Sequence, residues 1–178
     1  VSLTVRQGTV TALVGESGGG KSTIANLIAR FWDVQEGTVN IGGVDVCDMD
    51  YGEWMKRVSI VFQDTSLFKM SILENVATFC PDATREEILR ALHLAQCDDI
   101  LEKLPDGVDT VIGTKGIYLS GGEMQRIALA RAILKDAPVI LLDEATAFAD
   151  AENEYLIQKA LDELLRGKTV LMIAHRLS

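Results

Sequence analysis

Apolar residues along this chain cluster into short runs separated by amphipathic stretches. Runs with the length and composition of buried strands occur at Val10–Val14, 58–62, 139–142 and Thr169–Ala174. The stretch that follows the first run, 23–30, has helical character instead. Strands that alternate with helices along a chain are typical of an α/β fold built on a parallel sheet.

Two further segments carry signals of a second, smaller sheet. Strand-like runs flank Gln7 and Gly8, which is a hairpin signal within residues 1–14. Residues 37–44 read as another strand followed by a tight turn. The sequence therefore predicts an N-terminal antiparallel β subdomain beside the α/β core.

The middle of the chain changes from strands to helices. A Ser or Thr followed three residues later by Glu marks a helix start, because each side chain caps the other residue's backbone N–H group. Such pairs occur at Ser71/Glu74, Thr84/Glu87 and Ser120/Glu123. Residues 70–135 are therefore predicted to form an inserted α-helical subdomain, within one domain whose α/β core is at 1–69 and 136–178.

Residues 15–22 read GESGGGKS and match the G-x-x-x-x-G-K-[ST] phosphate-binding loop, the P-loop. The match lies between a strand-like and a helix-like run, which is the context that separates a working loop from a chance glycine-rich turn. Glycines let backbone N–H groups turn inward around phosphate oxygens, and the following helix points its positive end at the same anion. The lysine supplies charge for the β- and γ-phosphates, and the serine hydroxyl is placed to ligate Mg²⁺. The candidate nucleotide-binding residues are Gly15, Ser17, Gly18, Gly19, Gly20, Lys21, Ser22 and Thr23, of which Ser22 is also a candidate metal ligand.

Two carboxylates follow the apolar run at 139–142. Asp143 and Glu144 come at the carboxyl end of a strand expected to be buried, and ligands of α/β sheets bind at that end. Asp143 would hold Mg²⁺ directly or through water, and Glu144 would polarise the attacking water. An apolar strand that ends in Asp-Glu is common by itself, so this interpretation depends on the P-loop upstream.

A second anion site is predicted where a helix begins after Ser120. Ser120 and Glu123 can be explained as a helix cap alone, but two glycines in a first helical turn cost about 1 kcal/mol each relative to alanine. Bare N–H groups at Gly121 and Gly122, beside the Ser120 hydroxyl, suit a phosphate. One nucleotide does not need two such sites in one chain, whereas two chains packed head to tail would share them.

Composition narrows the class of protein. The net charge is −9, with 26 acidic against 17 basic residues, which argues against nucleic acid as the main partner. No apolar run approaches the ~18 residues of a membrane-spanning helix, and the N-terminus lacks the features of a secretory signal. The three cysteines show no metal-ligand spacing.

The order of five elements carries a resemblance to a known family. They are the P-loop, Gln63 after a strand, the segment LSGGEMQR at 119–126, the Asp143-Glu144 pair and His175. This order resembles the ATP-binding cassette domain of ABC transporters over residues 1–178, and VFQDTSLF at 61–68 is similar to the exporter-type branch. The resemblance implies a P-loop NTPase core, and an ATPase that drives the transmembrane domain of a transporter from the cytoplasmic face of the membrane.

The resemblance also implies roles for individual residues. ATP and Mg²⁺ would be the cofactors, and the candidate catalytic residues are Glu144 as general base, His175 on the γ-phosphate and Gln63 in the metal and water network. Metal ligands would be Ser22, Gln63 and Asp143. Two identical or different ATP-binding chains would form a sandwich, with each nucleotide between one P-loop and the partner's Ser120-Gly121-Gly122.

The family also has segments that are expected to lie outside this chain. Its adenine-stacking aromatic residue comes upstream of the P-loop, before residue 1, and further elements follow the histidine. The chain is therefore expected to be a fragment that is shortened at both ends.

Two other functions are compatible with a P-loop. A chromosome or DNA-repair ATPase of the same superfamily would have long coiled coils between the P-loop and LSGG, whereas a compact segment without heptads intervenes here. A small-molecule kinase would need no LSGG element, and it would transfer phosphate to an acceptor rather than to water. The sequence favours the transporter ATPase over both.

Overall fold

The computed structural model describes residues 1–16, 18–62, 66–113, 117–143 and 151–174 of the chain. These residues divide into two compact units. The first consists of the described parts of Val1–Phe62, Ala137–Ala145 and Gly167–Ser178, and the second of those of Gln63–Asp136 and Thr146–Arg166. The second unit thus combines the segment in which the sequence predicts helices with a helix from further along the chain.

The first unit is built on a parallel sheet. The strands of the unit are β1 (Val10–Val14), β2 (Asn40–Ile41), β3 (Val44–Asp45), β4 (Val58–Val61), β5 (Val139–Asp143) and β6 (Thr169–Ala174). The α-helices of the unit are α1 (Lys21–Ile28) and α2 (Tyr51–Arg57). Strands β1, β6, β5 and β4 lie side by side in that order, and all are parallel. The predicted α/β core is confirmed, because the apolar runs of the sequence are the strands of this sheet.

The interior of the first unit fixes the helix that follows the P-loop. Strand β5 lies between β6 and β4, and its residues Ile140, Leu141 and Leu142 are at most 2% exposed, as expected for a strand covered on both faces. Trp54 of α2 is fully buried, and its indole N–H donates to the Ile28 carbonyl at 3.1 Å. This bond ties α2 to the last residue of α1.

The hairpin expected within residues 1–14 is not formed. A turn does occur at Gly8, where φ is +71°, but residues 1–6 form no strand. Strand β1 is at the edge of the sheet and pairs in parallel with β6 on its other side. The reason is a lack of apolar cover, since this segment brings Val5 to the core but leaves Leu3 exposed. A second ladder on β1 would therefore bury little apolar surface.

The antiparallel part of the first unit is the small hairpin of β2 and β3. Asn40 pairs with Asp45, and Ile41 pairs with Val44. Gly42 and Gly43 form the turn with φ of +58° and +84°, values that residues with side chains rarely adopt. The predicted antiparallel β element is present here, as a sheet of two strands.

The second unit is helical. Its helices are α3 (Ile72–Ala77), α4 (Arg85–Leu94), α5 (Asp98–Lys103), α6 (Gly121–Lys135) and α7 (Ala151–Leu165). Helices α3, α4 and α6 begin with the reciprocal Ser/Thr–Glu caps that the sequence predicts. Helix α6 packs against α3, α4 and α7. Among the described residues, no helix has both the length and the apolar character needed to cross a membrane.

Candidate nucleotide-binding site

The P-loop connects strand β1 to helix α1, as the sequence predicts. Gly18 and Gly20 have φ of +80° and +82°, in the region that favours glycine. The Gly19 N–H donates to the Glu16 carbonyl at 3.1 Å, and a Cβ at Gly19 would lie 3.1 Å from the same oxygen. The backbone of the loop therefore accounts for the three consecutive glycines. Ser17, another candidate, lies outside the described residues.

Lys21 is folded back over the P-loop. Its Nζ donates to the Gly15 carbonyl at 2.8 Å and to the Glu16 carbonyl at 2.7 Å, and the residue is only 7% exposed. An ammonium group has three donor hydrogens, so these two bonds fix the position of the charge without using its full donor capacity. The loop thus holds a buried cation where a triphosphate would bind.

The start of α1 is also suited to an anion. Its N-cap is Gly20, which has no side chain to accept from the first-turn N–H groups, and no acidic residue lies in that turn. These N–H groups lack partners inside a helix and carry the positive end of the helix dipole. Ser22 and Thr23 are exposed in the same turn. Backbone, ammonium and hydroxyl groups together form a site of the kind that binds phosphate.

Parallel pairing brings the other candidates of the first unit to one edge of the sheet. Val14 pairs with Ala174, and Asp143 pairs with Ile173. Because the strands run in one direction, the carboxyl ends of β1, β6, β5 and β4 meet at this edge. Two strand spacings, about 10 Å in all, separate β1 from β5. Asp143 therefore lies at the same edge of the sheet as the end of β1, where the P-loop begins.

The three catalytic candidates, Gln63, Glu144 and His175, lie outside the described residues. Each follows a strand of the sheet by one or two residues, since β4 ends at Val61, β5 at Asp143 and β6 at Ala174. Their positions along the chain are thus consistent with this edge of the sheet. Their roles stay predictions.

The candidate oxygen ligands of the first unit suit Mg²⁺ held jointly with a nucleotide. In the part of the chain that the structure describes, no group of three His, Cys, Asp or Glu side chains is arranged to hold a metal ion. Mg²⁺ in phosphate sites is bound by one or two protein groups, while substrate phosphates and waters complete its octahedron. Ser22 and Asp143 supply a hydroxyl and a carboxylate of this kind.

In the second unit, Ser120 begins helix α6. Its N–H donates to the Glu123 carboxylate at 2.8 Å, and the Glu123 N–H donates to Ser120 Oγ at 3.2 Å. Ser120 and Gly121 are both exposed. A Cβ at Gly121 would meet no described atom within 4 Å. The packing of the described residues therefore does not require glycine at 121, and the helix start is open to an external group.

Gly122 has a different environment. A Cβ at this position would lie 2.7 Å from Cγ of Asn153 in α7, and 2.9 Å from its Cβ and Oδ1. Contacts this short do not occur between close-packed side chains. The sequence indicated an anion as the reason for both glycines, whereas the structure gives the second one a packing reason within the chain.

A buried ion pair near the same helix start was not predicted. Arg126 is 1% exposed, and its Nη1 and Nη2 donate to the two carboxylate oxygens of Asp99 at 2.6 Å and 3.1 Å. Nη1 also donates to the Gln96 carbonyl, and Nη2 to Asn153 Oδ1 at 3.3 Å. The Arg126 guanidinium holds the pKa of the Asp99 carboxyl below its usual range. In the sequence, a charged residue beside the apolar stripe of α6 was a usable signal for Arg126, but nothing pointed to Asn153.

Comparison with known proteins shows the family to which the chain belongs. The ABC transporter family model matches residues 1–147. The mycobactin import ATP-binding/permease protein IrtA of Mycobacterium tuberculosis is 54% identical over 99% of this chain, which covers 20% of that protein. ABC transporter B family member 28 of Arabidopsis thaliana is 49% identical over the whole chain, which covers 25% of it. The ATP-dependent lipid A-core flippase of Legionella pneumophila is 46% identical over the whole chain, which covers 30% of it.

These relatives are considerably longer than the chain. It spans 20% to 30% of their length, but the matches cover 99% to 100% of its own residues. The family model also covers the P-loop, the LSGG segment (119–122) and Asp143. The chain therefore belongs to the ABC transporter family and is an ATP-binding domain of that family.

Proposed function

We propose that this chain binds ATP and Mg²⁺ between two ATP-binding domains and hydrolyses ATP to drive the movement of a cargo across a membrane. The observation that supports the proposal is that one chain has two helix starts with groups suited to an anion. One is the P-loop with the buried Lys21 charge, and the other is the exposed start of α6 at Ser120 and Gly121. A pair of chains, identical or different, uses both, because each nucleotide then contacts one P-loop and the partner's LSGG segment.

The proposed chemistry is phosphoryl transfer to water. The P-loop amides and Lys21 bind and orient the triphosphate, and Ser22 and Asp143, with Gln63, hold the metal. Bound Mg²⁺ supplies positive charge that neutralises the phosphate oxygens. Glu144 orients a water and takes its proton, while His175 contacts the γ-phosphate. The water oxygen attacks the γ-phosphorus, the bond to the β,γ-bridging oxygen breaks, and ADP leaves.

We also propose that the chain works joined to a membrane-spanning part, at the cytoplasmic face of the membrane. The similar proteins are named as a permease and a flippase, and the chain covers 20% to 30% of them. The complete protein is expected in the membrane fraction of cells, and only detergent should release it. Recovery of the intact protein from the soluble fraction would contradict this proposal.

The shared site is tested with the ATP-binding domain in its native flanks carrying Glu144→Gln. Loss of the general base should lower hydrolysis by about 100-fold or more while leaving ATP bound. Light-scattering mass should then change from monomer to dimer on addition of ATP and Mg²⁺. Ser120→Arg should abolish the dimer, because a long cation replaces the small hydroxyl at the phosphate contact.

Thr84→Arg is a matched control for the loss of a helix cap. Thr84 is exposed and caps α4 with Glu87 in the same geometry as Ser120 and Glu123. If Ser120 contacts the partner's nucleotide, Ser120→Arg alone should prevent dimerisation. If both variants dimerise with ATP, Ser120 is only a cap, and the proposed sharing is wrong.

A further inference from the structure

Where helices α6 and α7 meet, a side chain on α7 leaves no room for a side chain at one position of α6. Gly122 is in the first turn of α6, and the Asn153 side chain occupies the space into which a Cβ at 122 would project. Gly121, one residue earlier, faces open space. Successive residues of a helix point about 100° apart, so one glycine faces outward while the next faces α7. The physical reason for glycine therefore differs between the two glycine positions of the LSGG segment.

Asn153 makes a second contact with the same helix. Its Oδ1 accepts from Arg126 Nη2 at 3.3 Å, one turn further along α6. Arg126 is buried and is also held by Asp99 of α5 and by the Gln96 carbonyl. The Asn153 side chain of α7 thus limits how closely α6 packs at Gly122 and also accepts one hydrogen bond from the buried Arg126 of α6.

We propose that Asn153 is a positioning residue for the phosphate-contacting start of α6. The proposal rests on the proposed function, in which Ser120 and Gly121 contact the partner's nucleotide. Contacts of this kind lose much of their effect when they are displaced by about 1 Å. The Gly122–Asn153 contact fixes α6 two residues from Ser120. The exclusion of a Cβ by Asn153 is thus a sufficient reason for glycine at 122.

The test is a set of exchanges in the complete protein. Gly122→Ala adds a methyl group against Asn153 and should lower kcat for ATP by at least about 10-fold, while KM stays within about twofold because the P-loop is unchanged. Asn153→Gly removes all three atoms that the methyl group would meet. The double variant Gly122→Ala with Asn153→Gly should therefore recover kcat to within about threefold of Asn153→Gly alone.

Gly121→Ala is the matched control, because it adds the same methyl group one residue away from the contact with Asn153. Any loss of kcat caused by Gly121→Ala should remain when Asn153→Gly is added, since no described atom of the chain lies within 4 Å of a Cβ at 121. If the Gly122→Ala double variant stays as slow as Gly122→Ala alone, Asn153 is not the reason for the glycine, and the proposal is wrong.

Hydrogen exchange separates this proposal from the proposed function. In nucleotide-free protein, Gly122→Ala should speed exchange at the start of α6, and Asn153→Gly should restore protection in the double variant. These measurements need no ATPase activity. Restored protection in a protein whose turnover is insensitive to Ser120→Arg would support the Asn153 contact and contradict the shared site. Unchanged exchange in Gly122→Ala would overturn the contact itself.

Discussion

Lys21→Met should lower ATP turnover by about 100-fold or more and should also weaken ATP binding. The Lys21 ammonium lies inside the P-loop on the Gly15 and Glu16 carbonyls, and the residue is 7% exposed. Methionine keeps most of the buried stem but removes the charge that the triphosphate would meet. Turnover of the complete protein and binding of a fluorescent ATP analogue measure the two effects.

Lys56→Met is the control for loss of a lysine charge elsewhere in the first unit. Lys56 pairs with Glu53 on the surface, and its side chain is 73% exposed, so this change should leave turnover and binding as in the wild type. Lys21→Arg should behave like Lys21→Met, because a planar guanidinium cannot occupy the position of a compact buried ammonium. Turnover of Lys21→Met within about threefold of wild type would exclude the P-loop as the catalytic nucleotide site.

Local signals in the sequence predict most of the elements. Helix starts at Ser71, Thr84 and Ser120 are confirmed with both hydrogen bonds of each cap. A cap involves residues three positions apart, so its full physical cause is present in a short stretch of sequence. The signal for the buried strands is equally local, because a run covered on both faces is mostly apolar.

Tertiary partners explain what the sequence could not predict. Residues 1–14 have the local pattern of a hairpin, but β1 pairs with β6, which is more than 150 residues away in the chain. Asn153 likewise touches Gly122 only after α6 and α7 have packed. Neither contact leaves a mark in the spacing of nearby residues. Where a local pattern has two explanations, as the hairpin signal and the glycine at 122 do, tertiary contacts of this kind determine which one holds.

The residues of the candidate site likewise divide into those that local sequence patterns predict and those whose role depends on distant partners. The P-loop could be predicted because its residues are contiguous, and their backbone geometry follows from glycines and one lysine. Asp143 could be placed because the carboxyl ends of parallel strands share an edge. The role of Ser120 depends on a second chain, which the sequence predicts from its two candidate anion sites but which the structure of one chain does not contain. It therefore stays a proposal that the dimerisation experiment decides.

Asp99→Asn should destabilise helix α6 by about 2 kcal/mol at neutral pH. The substitution leaves Arg126 charged and 1% exposed, without its carboxylate partner. Loss of one partner from a fully buried pair costs about 3–5 kcal/mol, and the smaller value expected here reflects the 41% exposure of the Asp99 side chain. Arg126→Met should cost less, because the Asp99 carboxylate left behind is hydrated. Hydrogen exchange of α6 in the complete protein measures the free energy of opening.

The pH dependence and a surface pair provide the controls for this prediction. The pKa of Asp99 is lowered in the folded protein, first by its hydrogen bonds from Arg126. The carboxylate therefore contributes stability above its unfolded pKa of about 4, and the contribution is lost as pH falls through the lower folded pKa. The difference between wild type and Asp99→Asn should thus be full at pH 7 and should shrink below about pH 4.

Asp109 bonds Arg85 at 2.8 Å and 2.5 Å, but both side chains are 55% exposed. Asp109→Asn should have no measurable effect, and equal effects of the two variants would show that burial of Arg126 is not the cause.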